Sequence, residues 1–332
     1  MQIALSTRWN ARRHTDGARL VEESRAAGFS LLELGYDLRR DLVPGILEQV
    51  RSGGVRVVSV HNYCPVPMGA PTGHPELWTF ADPDPAVRRR AVEHTAETVR
   101  FAAEAGATIV VVHAGYVRMK PLSRRLIRLA EKGRLDSWWG RRTSLALDRR
   151  RERGVLRHLD WISKCLESLL PVLEDCKVNL GLENLPSWEA VPAEREFPVL
   201  VKRFPGSRIR YWHDVGHGAI RENLGWISHL RALEQLAPWL GGLHLHDILP
   251  PAQDHVVPGE GVLDFSLFAP WARLSIPLVL EPDSRASAEQ LRGAVAHMEG
   301  AWAAREAAKE PRPRGSLYDA MPVSRKDRSD SP

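Results

Sequence analysis

Residues 208 to 217 read Arg-Ile-Arg-Tyr-Trp-His-Asp-Val-Gly-His. The stretch has the form of a short apolar strand that ends in Asp214, passes Gly216 to His217, and leads into a helix. The spacing Asp-x-x-His brings a carboxylate and an imidazole off one strand end and its first loop turn into one small volume. A carboxylate with a neutral imidazole nitrogen is a ligand pair for a borderline divalent metal such as zinc or manganese. Alone the motif is weak, because Asp and His at strand ends also cap the helix that follows. Its weight comes from the other strand-like runs, which end the same way.

Working outward, eight short apolar runs rich in β-branched residues stand out: Ile3–Thr7, Leu31–Tyr36, Val55–Tyr63, Thr108–Gly115, Val178–Leu185, Arg208–Asp214, Gly242–Ile248 and Pro277–Pro282. Segments of helical periodicity separate them: Thr15–Ala27, Asp41–Arg51, Asp84–Ala105, His158–Cys176, Ala193–Arg203, Leu224–Trp239, Phe265–Leu274 and Ala286–Lys309. Eight strand–helix alternations in about 310 residues are the count of a closed (β/α)8 TIM barrel, an α/β fold, rather than an open doubly wound sheet. No G-x-G-x-x-G follows the first run, which weighs against a dinucleotide fold. We therefore expect one barrel over 1–309.

Two segments fall outside that scheme. From about Glu310 to 332 the chain is rich in Pro, Arg, Ser and Asp without apolar periodicity, and a disordered tail is expected. Between Arg118 and Arg157 there are 14 Lys/Arg against 4 Asp/Glu. The whole chain is only +5, so everything else carries −5. This connection after the fourth strand is far longer than the usual ~2–6 residues. Leu122, Leu126, Ile127 and Leu129 mark it as a basic helical insertion at the barrel mouth.

Composition is that of a globular chain, 43% hydrophobic and 26% charged, with no membrane-length apolar run. The start, Met-Gln-Ile-Ala-Leu-Ser, enters a strand directly and has no signal-peptide plan. Cys64, Cys165 and Cys176 form no disulfide framework and no paired metal spacing. A cytoplasmic location is the expectation.

In a parallel barrel all strand C-termini open on one face, where the active site lies. The third run finishes in His61, the fourth in His113, the fifth in Glu183-Asn184, and the sixth in Asp214 with His217. The seventh carries His244, His246 and Asp247, and the eighth ends in Glu281. The loop after the seventh adds Asp254-His255 and Pro258-Gly259-Glu260-Gly261. So many ionisable groups would be costly to bury without a partner, and a metal supplies one. Any one of them alone is equally readable as a cap or an ion-pair member.

The set as a whole resembles the xylose isomerase-like TIM-barrel superfamily, which contains sugar isomerases, ketose epimerases and the endonuclease IV group. The resemblance runs through Val-Val-Val-His113-Ala-Gly, Leu-Glu183-Asn, His-Asp214-Val-Gly-His217, Leu-His244-Leu-His246-Asp247, His255-Val-Val-Pro-Gly-Glu-Gly and Leu-Glu281-Pro. It spans residues 1 to about 305 apart from the basic insertion. For the epimerases it implies one divalent metal on Glu183, Asp214, His244 and Glu281. Catalysis would fall to Glu183 and Glu281 exchanging a proton with the substrate, and His217 would hydrogen-bond the substrate oxygens. For the endonuclease IV group it implies zinc ions up to three, with His61, His113, His217 and His255 as additional ligands. Gln253 stands where that group has a further Asp, with Asp254 beside it. An Arg that ketohexose epimerases carry after the strand-seven His is absent from Asp247-Ile-Leu-Pro-Pro251.

The expected function is a divalent-metal-dependent isomerase or epimerase acting on a sugar or sugar phosphate. The alternatives are a zinc-dependent abasic-site phosphodiesterase and a metal-binding barrel without catalysis. The cofactor is one divalent ion (Zn, Mn, Co or Fe), up to three being admitted, and the partner a small sugar-like molecule, with a homo-oligomer allowed. His246, Asp247, Glu260 and Trp188 are candidate substrate contacts, and Trp212 a candidate pocket wall or core residue. Glu33 and Tyr36 close the second strand within reach of the pocket, and Glu33 is equally readable as the partner of an interior Arg. The basic insertion has three readings: a solvated partner-binding element, a phosphate-neutralising arm, or a nucleic-acid contact. Trp138 and Trp139 would either engage bases or pack the insertion down.

Overall fold

The computed structural model describes residues 2–308. Eight parallel strands close into a barrel: β1 (Ala4–Ser6), β2 (Leu31–Leu34), β3 (Arg56–His61), β4 (Ile109–Val112), β5 (Asn179–Glu183), β6 (Ile209–Asp214), β7 (Leu240–Leu245) and, after the ribbon described below, β10 (Leu278–Leu280). Each pairs with its neighbours in sequence, and β10 returns to β1 through Ala4 opposite Val279. The outer layer includes α1 (Gly17–Ala26), α2 (Val43–Arg51) and α3 (Pro85–Glu104). The long β4–β5 connection forms α4 (Ser123–Ala130) and α5 (Trp138–Cys176). The remaining helices are α6 (Phe197–Val201), α7 (Val215–Asn223), α8 (His229–Leu236), α9 (Ala269–Ala272) and α10 (Ala288–Ala307). After β7 the chain makes a two-stranded antiparallel ribbon, β8 (Asp247–Leu249) with β9 (Gln253–Val256). The expected tail lies outside the described residues. No described helix is long and apolar enough to cross a membrane.

Strand alternation divides the core into two compartments. In β4, Val110 and Val112 face the helices, while Ile109 and Val111 point inward with Ala4, Leu31, Trp212 and Val279. This inner layer is a packed plug beneath the strand C-termini. Trp212 dominates it, and Gly242 gives it room: a Cβ there would lie 2.1 Å from the indole Cζ3. Trp212 is therefore core, not pocket wall.

The insertion is helical, as its leucine spacing implies, but its boundary differs from the expected Arg157. Helix α5 runs unbroken for 39 residues, so the basic stretch and the expected helix from His158 are one element. Arg151 concealed this. It sits at a buried position of the stripe Leu147, Val155, Leu159 and Ile162, where periodicity calls for an apolar side chain. Its guanidinium is satisfied by Glu196 and by the carbonyls of Trp188 and Ala190, 2.6 and 2.8 Å away. On the other side, buried Glu189 accepts from the backbone N–H groups of Leu122 (2.6 Å) and Ser123 (2.9 Å) and from the Ser123 hydroxyl, tying down the start of α4. The loop after β5, rather than Trp138 and Trp139, thus anchors the insertion. Those two rings are 57% and 49% exposed and do not pack it down within the chain.

The expected helix Leu224–Trp239 is also corrected. Helix α7 starts at Val215, immediately after Asp214, and Gly225 at φ +74° separates it from α8.

Candidate metal centre and pocket

Register brings the charged strand ends to one level. Glu183 lies opposite Trp212, and Asp214 opposite His244, while the Glu281 N–H bonds the Leu245 carbonyl at 3.1 Å. Glu183, Asp214, His244 and Glu281 are buried above the inner plug. Their atoms converge on His244 Nδ1, with Glu281 Oε2 at 3.2 Å, Glu183 Oε1 at 3.3 Å and Asp214 Oδ2 at 3.8 Å. The other ring nitrogen, Nε2, donates to Glu33, whose two oxygens both lie 3.2 Å away. Glu33 also accepts from Ser59 Oγ at 2.8 Å, so it pairs with a histidine and a serine, not with an arginine.

One imidazole nitrogen cannot satisfy three carboxylates with one proton. Burial opposes a charge on His244, yet Glu281, Glu33 and Glu183 raise its pKa well above the ordinary imidazole value. Burial likewise works against charge on Glu183 and Glu281, but facing histidines, joined by Arg8 for Glu281, hold both carboxyls well below the usual range. Three carboxylates around one imidazole nitrogen, on a ring held from behind by Glu33, make an N/O donor set that fits a divalent cation. Glu183 and Asp214 group with His244, and so do Glu33 and Glu281.

A second cluster shares Glu183. His61 Nε2 (3.2 Å) and His113 Nε2 (3.1 Å) both face its Oε2. Each ring is oriented from behind: His61 Nδ1 lies 3.1 Å from the Asn62 carbonyl and His113 Nδ1 3.1 Å from Glu76. Burial lowers the His113 pKa, but Glu183 and Glu76 overcome this and raise it to about 9. The other two candidate histidines form a third cluster with His246 rather than joining this one. His217 Nδ1 bonds the Asn184 carbonyl at 2.9 Å, and His255 Nδ1 the Glu281 carbonyl at 3.0 Å. Asp254 does come near, its Oδ2 3.9 Å from His217 Nε2. His255 holds a left-handed backbone, φ +52°, unusual for a non-glycine residue. Its N–H bonds His246 Nδ1 at 2.9 Å, which fixes that conformation.

A cavity of about 190 Å³ opens above these clusters. His61, His113, Glu183, His217, His255 and Glu281 contribute to its wall, and Asp214 and His244 lie deeper. Tyr36 reaches the wall too, as its place at the end of the second strand allows. Three further wall residues, Arg8, Glu76 and Tyr116, were not picked out in the sequence. Arg8 follows β1, bonds Glu281 Oε1 at 2.6 Å and lies 4.9 Å over the Tyr36 ring. Glu76 accepts from the Tyr116 hydroxyl as well as facing His113. Arg8 had a signal, its place just past the first strand end. Glu76 sits in an irregular loop without one.

The four expected substrate contacts are not in that wall. His246 is buried beneath it, with Nε2 bonding Asp214 at 2.9 Å and Nδ1 taken by the His255 N–H. Asp247 accepts from the backbone N–H groups of Ile248, Gly259, Gly261 and Leu263, which shapes the loop after β7. Glu260 is turned outward to Gln290. Trp188 stacks on Trp226 and donates to Asp148 at 2.9 Å, within the anchor of the insertion.

Comparison with known proteins places this geometry in context. A D-tagatose 3-epimerase-like protein superposes over 93% of this chain and 99% of its own, with a TM-score of 0.66 at 17% identity. The apo 3-keto-D-glucoside 4-epimerase from E. coli covers 90% and 99%, with a TM-score of 0.64 and 17% identity. A Thermus thermophilus protein soaked with zinc chloride covers 91% and 98%, at 0.56 and 18% identity. In sequence, the uncharacterized protein MJ1311 of Methanocaldococcus jannaschii is 24% identical over 193 residues, 56% of this chain. The match spans 55% of that relative's length. Residues 21–299 match the family described as the xylose isomerase-like TIM barrel. With most of its length matched and a closed eight-stranded barrel, the chain belongs to the xylose isomerase-like TIM-barrel family.

Proposed function

We propose that this protein is a divalent-metal-dependent isomerase or epimerase of a sugar or sugar-like polyol. The observation that carries the reading is the convergence of Glu183, Asp214 and Glu281 on His244 Nδ1, with Glu183 and Glu281 both reaching the cavity wall. A divalent ion held by these four residues would polarise a carbonyl and its neighbouring hydroxyl and acidify the C–H between them. In this reading Glu183 and Glu281, whose neighbours hold both carboxyls well below the usual range, would remove that proton and return one from the other side. His217, with Nδ1 committed to Asn184, presents Nε2 for substrate oxygens. The solved epimerases that share the fold support this class of substrate.

One observation favours a second reading, zinc-dependent phosphodiester hydrolysis. His61 and His113 both aim Nε2 at Glu183 Oε2, which a proton shuttle between two glutamates does not need. Elemental analysis of protein purified without added metal separates the two. One equivalent per chain, lost in Glu281→Ala, supports the isomerase and leads to a panel of sugars and sugar phosphates. Two to three equivalents of zinc, with cleavage of abasic-site DNA, would replace it. Undiminished turnover in both Glu183→Gln and Glu281→Gln would refute the proton-transfer scheme.

A further inference from the structure

The metal centre and pocket make no use of the basic insertion. The outward face of α5 carries a hollow of about 600 Å³, lined by Trp138, Leu145 and the arginines 141, 142, 149, 150 and 153. Among the described residues, none of these five guanidiniums makes an ion pair, and no carboxylate lines the hollow. Their buried neighbour Arg151, by contrast, is fully neutralised by Glu196. From Arg141 to Arg153 the track is about 18 Å long at 1.5 Å per residue. At its start Trp138 and Trp139 meet edge to face, with centroids 4.5 Å apart, and Arg142 lies 5.2 Å over the Trp138 ring.

We infer that this face of α5 binds the phosphate backbone of single-stranded nucleic acid, a binding activity separate from the pocket chemistry. Charge sets the class of partner: five unpaired guanidinium forks match phosphate oxygens, so up to about five phosphate contacts are available along such a track. The half-exposed indoles favour a single strand, whose unstacked bases offer ring faces to an aromatic platform. A bilayer suits the face less well. Trp138 and Leu145 lie among the arginines instead of forming a separate apolar side that could enter lipid. The rest of the chain is net negative, so attraction is confined to this segment.

The test is fluorescence anisotropy of the full chain with a labelled single-stranded oligonucleotide of about 20 nucleotides, longer than the ~4–16 nucleotides that single-strand sites cover. Five contacts predict a slope of log affinity against log salt of about −3.5, so that affinity falls roughly a hundredfold between about 50 and 200 mM salt. In Arg149→Gln/Arg150→Gln/Arg153→Gln the slope should drop to about −1.4, whereas the corresponding Lys triple should keep the parent slope. Trp138→Ala should weaken binding about tenfold without changing the slope. The inference is overturned if no binding occurs at about 50 mM salt, where such contacts are strongest. It is overturned equally if the Gln triple binds like the parent, or if anionic phosphatidylserine vesicles capture the protein while the oligonucleotide does not.

Discussion

Glu33 fixes which edge of the His244 ring faces the candidate metal centre. With both carboxylate oxygens 3.2 Å from Nε2, Glu33 takes the ring proton on that side and leaves Nδ1 to face Glu183, Asp214 and Glu281. Such partners behind a ligating histidine typically contribute about 10–100-fold in metal affinity. Glu33→Gln should therefore weaken Mn²⁺ or Zn²⁺ binding by roughly that factor, measured by calorimetric titration of metal-free protein. Unchanged affinity would mean that the charge of Glu33 does not tune the centre through His244.

Arg8 controls the acid limb of any activity that uses Glu281. Burial raises the Glu281 pKa, and His244 and then Arg8 bring it far down. Arg8→Met removes one of the lowering charges, so the folded pKa moves up. Because the carboxylate is the active form, the acidic limb of the kcat/KM profile should shift to higher pH. A profile superimposable on the parent's would show that Glu281 carries no essential titration.

The buried Arg151–Glu196 pair makes a prediction about stability. Burial raises the Glu196 pKa, but hydrogen bonds and charge from Arg151 leave it below the ordinary value of 4.5. A depressed folded-state pKa contributes stability above 4.5 that is lost as pH falls through the lower folded value. Glu196→Gln strands a buried guanidinium and should cost about 3 kcal/mol at neutral pH, with less loss on further acidification than the parent shows. Urea unfolding at neutral and acidic pH reads both effects.

Gly242→Ala tests the inner plug. Its Cβ would overlap the Trp212 ring, which closely packed neighbours hold in place. We expect about 1–3 kcal/mol of destabilisation and a changed indole fluorescence, since the ring must move. Parent-like stability and emission together would mean that the indole does not occupy the barrel interior.

The barrel was legible in the chain because its strands are short apolar runs whose polar ends recur at the same place. The residues proposed as metal ligands stand out for the same reason: Glu183, Asp214, His244 and Glu281 each sit within one residue of a strand end. What escaped detection depends on contacts between distant loops. Arg8 meets Glu281 only when β1 closes against β10, and Glu76 reaches His113 from an irregular segment with no period to read. The start of α5 was hidden by an arginine in a core position, since hydropathy records the side chain and not its partner. Asp247 and Trp188 were misread for a related reason, because polar and aromatic side chains near a site can serve its scaffold instead of its ligand.

The double duty of Asp214 has a consequence for how the centre exchanges its ion. One of its oxygens accepts the His217 N–H at 2.7 Å and so starts α7, and the positive end of that helix offsets part of the carboxylate's charge. Asp214 is thus held in place by its own helix as well as facing His244 Nδ1. A cation bound there would share Asp214 with the first turn of α7, which makes the His217 amide a reporter: its hydrogen-exchange protection should follow occupancy of the centre.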